Sequence, residues 1–386
     1  MKDFLWKIYA YKFFDDFVLI YPLYAVMFTD FSMQPWQVGV LLGVWSVTSL
    51  LFEVPSGVWA DMYSRKNILF LGQLIRVVGY AIWLLYPTFW GFAAGFVLWG
   101  IKSALTSGTF QALIYDELIR LKQEQQFTKV YGRAKTLSFI AIVCASLGAS
   151  FAIHYGYQVV LLLSCFSVVV SGFAVLQLPQ VPIIQSTHEK EYFSLLKEGV
   201  KNITNNKVIL KIVMFLAFVL SLGGALDEYW PIFAHEVHLP DTGLGILLAI
   251  ISGVQACASY VAYKFSQRSN MFFYALFTLN GIFLFCAAYI FEMWVLIFLV
   301  IFGFLFTIVQ IVFEGKLQDI IESATRATVS SINGFLTEVG VIIVYVLFGA
   351  VSQVSTYQIG FIFFACVIMV IGAFMIGLSI RSKNNA

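Results

Sequence analysis

The chain has 386 residues, of which 60% are hydrophobic and 11% charged, with a formal net charge of +2. An average soluble domain carries roughly 25% charged residues, so a soluble globule could not be covered with so few. The near-neutral balance offers no basic face for nucleic acid, the apolar content excludes disorder, and the mean hydropathy of +0.87 points into a membrane.

Apolar runs of about 20 residues match helices that cross a bilayer. A barrel would instead alternate apolar and polar residues in short strands. In chain order, twelve spans are expected near 9–29, 36–60, 67–87, 89–111, 133–154, 157–178, 208–234, 242–264, 270–290, 294–314, 328–351 and 356–380. The first is interrupted by Asp15 and Asp16 and lacks a small-residue cleavage site, so it is expected to stay in the protein rather than leave as a signal peptide. The joins after odd-numbered spans are short and contain no Lys or Arg. The opposite side carries Lys2, Lys7, Arg65, Lys66, the basic residues from Arg120 to Lys135 and from Lys190 to Lys211, Lys264, Arg268, Lys316, Arg326, Arg381 and Lys383. Positive loops stay in the cytoplasm, so both termini are expected there. Of the basic residues, only Arg76 and Lys102 are expected far from a span end.

These spans predict an all-α membrane protein with two pseudo-symmetric six-helix bundles, residues 1–178 and 208–386. Residues 179–207 form a cytoplasmic linker, in which Tyr192 to Val200 reads as a short amphipathic helix and a passive connector. The bundles repeat weakly. Asp16 followed by Tyr21-Pro22 in span 1 answers Asp227-Glu228-Tyr229-Trp230-Pro231 in span 7, and Gly39 of span 2 answers Gly245 of span 8, 206 residues later. Parallel repeats of this kind are a transporter design. The five cysteines lie in apolar runs with no close pair, as packing residues do.

Between spans 2 and 3 the chain reads Gly57-Val-Trp-Ala-Asp61-Met-Tyr-Ser-Arg65-Lys66. This resembles the motif G-x-x-x-D-x-x-[GS]-R-[KR] of the major facilitator superfamily, with Met62 where an Arg is usual. Phe52-Glu53-Val-Pro-Ser-Gly, the stretch from Ser107 to Leu118, and Arg326-Ala-Thr-Val-Ser-Ser are similar to a bacterial branch with many efflux members. The antiporter signature of the fifth helix is absent; span 5 offers Leu147-Gly-Ala-Ser. The resemblance implies a transporter of 6 + 6 helices, monomeric and without cofactor, that moves a small organic molecule across the cytoplasmic membrane by alternating access. Export driven by protons is the leading expectation. A proton-coupled uptake symporter, or a membrane sensor without transport, are the alternatives.

Within the motif, Gly57 is expected to let neighbouring helices approach. Asp61 is expected to meet the positive end of span 11 near Thr328, and Arg65 to pair with Asp116 or Glu117. With Lys66, these residues would form a latch on the cytoplasmic side; the plainer alternative is that Arg65 and Lys66 only anchor the loop.

Ionisable residues inside a bilayer are costly and are functional candidates. Glu338 and Arg76 fall near mid-span, Lys102 somewhat past the middle, Glu53, Asp15 and Asp16 in the inner half, Glu314 near an inner end, and Asp227 and Glu228 near an outer end. Helical spacing gathers several into stripes: Ser46, Ser49, Glu53 and Gly57; Lys102, Thr106, Thr109 and Asp116; Thr307, Gln310, Glu314 and Gln318; Ser331, Gly334 and Glu338. Spans 6, 9 and 12 read as nearly featureless apolar segments and are expected to be outer scaffold. Counting the deep charges leaves two acids over after Arg76 and Lys102 are paired with Asp15 or Asp16. Glu53 or Glu338 is therefore the expected proton carrier, with structural ion pairing as the alternative. His235 and His238 read as a solvated loop rather than a metal site. Pro22 and Pro231 either kink spans 1 and 7 or simply pack. No P-loop, nucleophile elbow or HExxH motif is present, so no enzyme is expected.

Overall fold

A computed structural model describes residues 1–179, 204–321 and 326–384, and among them every regular element is a helix. In chain order these are α1 (Lys2–Asp16), α2 (Tyr24–Asp30), α3 (Pro35–Met62), α4 (Arg65–Leu85), α5 (Phe89–Thr106), α6 (Thr109–Arg120), α7 (Phe127–Ala152), α8 (Tyr157–Leu176), α9 (Lys207–Glu236), α10 (Asp241–Val261), α11 (Asn270–Ile290), α12 (Leu296–Ile320), α13 (Arg326–Val354) and α14 (Tyr357–Asn384). The linker helix expected at Tyr192 to Val200 lies outside the described residues. Among the described residues, eleven of the spans are long and apolar enough to cross a bilayer. The twelfth, the first in the chain, is broken into α1 and α2.

That break corrects the expectation of one continuous helix over 9–29. Residues 17–23 leave the helical ladder, because Pro22 has no N–H to donate and its ring crowds the preceding turn. A break inside a membrane protein strands backbone groups that must find partners. Serines of α8 supply partners at the break and brace the helix before it. Ser164 Oγ accepts from the Ile20 N–H at 3.0 Å, Ser167 Oγ donates to the Phe14 carbonyl at 2.8 Å, and Ser171 Oγ donates to the Tyr11 carbonyl at 3.1 Å. Steps of three and four put these hydroxyls on one helix face. Span 6 is therefore not featureless: it carries a serine stripe, and the stripe clamps α1.

Span 4 is broken as well, between α5 and α6. Gly108 has φ +71 and ψ −38, and the Thr109 N–H donates to the Ser107 carbonyl across it at 2.8 Å; such a tight positive-φ turn costs a side-chain-bearing residue roughly 1–3 kcal/mol and costs glycine little. Pro231, by contrast, sits inside the uninterrupted α9, so the repeat-related prolines do not behave alike.

The chain divides into two compact units. The first comprises Met1–Met33, Val40–Thr187 and Pro240–Ala249; the second comprises Gln34–Gly39, His188–Leu239 and Ile250–Ala386. In the first unit α1 packs on α7 and α8, and α4 packs on α5 and α8. Its aromatic core surrounds α2: Phe28 lies 4.5 Å from Phe92 and 5.4 Å from Trp83, centroid to centroid, and Trp83 lies 5.1 Å from Phe96. In the second unit α9 packs on α13 and α12, and α11 on α14. Phe348 stacks on Tyr229 at 4.0 Å and meets Phe361 at 4.8 Å. The repeat-related glycines are both points of close approach. A Cβ on Gly39 would lie 2.5 Å from the Tyr345 carbonyl oxygen in the second unit, and one on Gly245 would lie 1.9 Å from the Ser146 carbonyl oxygen in the first.

Candidate functional site

The broken end of α1 delivers Asp15 to the middle of the first unit, where its side chain is buried. Its Oδ1 accepts from Lys102 Nζ at 2.8 Å, from Gln73 Nε2 at 3.0 Å and from Arg76 Nη1 at 3.3 Å. Its Oδ2 lies 3.7 Å from Lys12 Nζ. Arg76 Nη1 also donates to the Asp15 backbone carbonyl at 2.8 Å. That carbonyl is one of those left free where a helix stops, and a cation suits the negative end of the helix. Arg76 Nε donates to Tyr80 Oη at 2.9 Å, and the guanidinium lies 5.1 Å from the centre of the Trp99 ring. Asp16, half-buried, pairs with Lys12 Nζ at 2.8 Å and accepts a hydrogen bond from Ser138 Oγ.

Asp15 thus meets both cations expected for it. Lys12, at the same end of α1, is a third cation that the charge count omitted. Three cations face two carboxylates in this cluster, so the local balance is basic, and with Lys12 counted among the deep bases the expected surplus of two acids falls to one. The signal was present in the sequence: Lys12 stands three and four residues before Asp15 and Asp16, the spacing of neighbours on a helix. Gln73, three residues before Arg76 on α4, is a further missed member of the network, identified by its bond to Asp15.

Glu53 lies on an exposed face of α3, and its Oε1 accepts from Ser107 Oγ at 2.8 Å. Ser56, one turn on, donates to the Ala104 carbonyl at 2.9 Å. Both residues therefore serve the end of α5 where the chain breaks. The break also divides the expected stripe from Lys102 to Asp116. Lys102 turns to Asp15, the Thr106 hydroxyl donates to its own helix, and Asp116 pairs elsewhere.

In the loop motif, Arg65 Nη1 meets Asp116 Oδ2 at 3.0 Å. Glu117 is engaged by Arg120 through two bonds of 2.7 and 2.6 Å, so of the two expected partners Arg65 takes Asp116. Lys66 lies in the first turn of α4. Among the described residues nothing lies within 4 Å of a Cβ on Gly57, so the expected close approach of helices at Gly57 is not made among them. The side chains of Asp61 and Thr328, whose meeting was expected, lie outside the described residues.

The remaining candidates lie in the second unit. Glu314 Oε1 accepts from Gln310 Nε2 at 3.1 Å along α12, and Asp227 Oδ1 accepts from Trp230 Nε1 at 2.9 Å along α9. Glu228 follows in the same turn, half-buried. Glu338 lies with Ser331 and Gly334 on an exposed face of α13. Among the described residues no group of three His, Cys, Asp or Glu side chains converges, His235 and His238 included.

The first unit also contains a cavity of about 220 Å³ beside the charge cluster, walled by α1, α5, α6 and α7. Lys12, Asp15 and Ser107 reach it from the network, and Gln111, Tyr131 and Lys135 complete it.

Helices broken beside buried charges, in a chain of apolar spans, define a polytopic membrane protein of transporter type. The Major Facilitator Superfamily model matches residues 8–345, and the chain belongs to that family. It is 23% identical over 221 residues to YxaM, an MFS-type transporter of Bacillus subtilis, covering 55% of this chain and 54% of that one. The chain thus spans about half the length of that relative. It is 24% identical over 311 residues to the transporter BU466 of Buchnera aphidicola, covering 76% of this chain and 75% of the other. The fold is similar to the crystal structure of the nucleoside transporter NupG, with a TM-score of 0.78 at 14% identity, covering 97% of this chain and 98% of that one. The protein is a multi-pass membrane protein with the fold of transporters.

Proposed function

We propose that the chain is a secondary active transporter that moves a small organic molecule across the cytoplasmic membrane by alternating access of two six-helix halves, with both termini in the cytoplasm. The observation that carries this reading is Asp15, held by three cations at an unwound segment of a transmembrane helix. Such a network is expensive to place in a bilayer and serves as a switchable element, because binding of a charged solute or a proton redistributes its pairs.

Proton coupling is assigned to Glu53 in this proposal. Its carboxylate holds Ser107 where α5 ends, so protonation would loosen the contact that fixes the break. Glu338, exposed on α13, is the second carboxyl to test. Arg65 and Asp116, with Asp61, would act as the cytoplasmic latch. Export follows from the resemblance of the motifs to an efflux branch. Uptake symport is the second reading, favoured by Leu147-Gly-Ala-Ser in place of the antiporter signature.

Proteoliposomes with an imposed pH gradient and a panel of cationic, anionic and zwitterionic solutes test the proposal. Solute movement driven by the gradient, lost in both Glu53→Gln and Glu338→Gln or in one of them, is the expected result. A full gradient response in both variants would overturn the coupling, and its direction separates export from uptake. Asp61→Asn is expected to slow turnover and raise cytoplasmic accessibility; no change in either speaks against the latch.

A further inference from the structure

The cavity in the first unit has a charge and a shape that the transport reading leaves unassigned. The carboxylate that lines it, Asp15, is already engaged, since its Oδ1 accepts from three donors. Outside the lining, Asp16 is held by Lys12 and Ser138, and Glu53 accepts from the lining residue Ser107. One cation on the wall has no such partner: Lys135 forms no ion pair among the described residues, and its Nζ lies 5.8 Å from the centre of the Tyr131 ring. Lys12 stands on the cavity wall as well, already shared between two carboxylates.

Hydrogen-bond donors are also left over. Gln111 Nε2 donates to Tyr131 Oη at 3.2 Å, so the phenol accepts there and keeps its own proton to give. Tyr131 is fixed by stacking on Phe127, with centroids 5.6 Å apart and planes 5° from parallel. Ser103 adds a hydroxyl, and Phe110 adds an apolar ring 6.3 Å from that of Tyr131. The volume of about 220 Å³ is below the roughly 300–1,000 Å³ of pockets for drug-sized ligands.

We propose that this cavity binds the anionic group, a carboxylate or phosphate, of a small planar solute, held by Lys135 and Lys12 and oriented by Tyr131 Oη against the ring of Phe110. The proposal rests on the transport reading only in making that solute the cargo. Lys135 is the residue that selects the charge, because the other cations of the cluster are matched to carboxylates or to the end of α1.

The test uses the full chain in detergent, with the five native cysteines replaced and Ser103→Cys introduced; Gln111→Cys provides a second position should the first not fold. Rates of modification by an anionic sulfonatoethyl and a cationic trimethylammonioethyl thiosulfonate are each divided by the rate with free cysteine. The anionic reagent is expected to be favoured on the order of tenfold, as local fields raise the concentration of the matching charge. Lys135→Gln should remove most of that preference and Lys135→Arg should keep it. Benzoate and phenyl phosphate should protect the thiol, and benzylammonium should not. Equal normalised rates, a cation preference, or protection unchanged by Lys135→Gln would overturn the site. Protection by phosphatidylglycerol but not by benzoate would also overturn it, since the ligand would then be a lipid. Protection by benzoate without transport of any solute would leave the site standing and remove the transport reading instead.

Discussion

Lys102 Nζ lies 2.8 Å from Asp15 Oδ1, and both side chains are buried. Removing one member of such a pair leaves an uncompensated charge, at a cost of about 3–5 kcal/mol. Asp15→Asn is therefore expected to lower the thermal midpoint sharply, because it strands Lys102 and Arg76 together. The double variant Asp15→Asn/Lys102→Met should recover part of the loss, since Arg76 keeps its bonds to the residue 15 carbonyl and to Tyr80. Thermal unfolding in detergent measures this; a double variant less stable than Asp15→Asn would contradict the network.

Ser164 accepts from an N–H that the break in span 1 has removed from the helical ladder. Ser164→Ala is expected to cost about 1 kcal/mol, within the range for a lost hydrogen bond that strands a buried donor. Ser167→Ala should cost less, because the Phe14 carbonyl it serves in the last turn of α1 is an acceptor rather than a stranded donor, and Ser171→Ala least, because the Tyr11 carbonyl lies within the helical ladder. The three midpoints, measured side by side, should fall in that order of severity.

Gly108 separates α5 from α6 through a positive φ. Gly108→Ala and Gly108→Asn should each destabilise by about 1–3 kcal/mol, because positive φ with negative ψ is strained for any residue that carries a Cβ. Equal midpoints for all three forms would mean that the break does not depend on this backbone conformation.

Gly57 and Gly245 predict opposite outcomes. Among the described residues a Cβ on Gly57 meets nothing within 4 Å, whereas one on Gly245 would strike the Ser146 carbonyl at 1.9 Å. Gly57→Ala should leave stability unchanged or raise it by up to about 1 kcal/mol through helix propensity, while Gly245→Ala should lower it. If Gly57→Ala is stable but transports slowly, the glycine matters in another conformational state, which is what a gating motif requires.

The Arg65–Asp116 pair is partly solvated, with side-chain exposures of 18% and 13%, and contributes about 0–1 kcal/mol on the scale of exposed pairs. Arg65→Gln should hardly move the midpoint. If the pair works as a latch, Arg65→Gln slows turnover, and the charge swap Arg65→Asp/Asp116→Arg restores part of it. Unaltered transport in Arg65→Gln would reduce the pair to an anchor.

The class of protein, the number of its spans and the family could be read from the sequence. The physical reason is that a bilayer imposes length and apolarity on each span separately, so those properties are local. The pairing of Asp15 with Arg76 and Lys102 was also within reach, because charges buried in a bilayer must find opposite charges and few were available, and that of Arg65 with Asp116 or Glu117 was suggested by the loop motif on the cytoplasmic side. What only the tertiary structure decided is where the helices break and what then satisfies the loose ends. Pro22 was visible, but not that Ser164, Ser167 and Ser171 would clamp the segment it interrupts, because that requires knowing that α8 lies beside α1. Ser107-Gly108 was hidden inside a polar stripe whose 3.6-residue period held only if the helix continued. The charge count erred at Lys12 for a similar reason. An ion near a helix end is solvated in one fold and buried in another, and only the packing of α1 against its neighbours decides which.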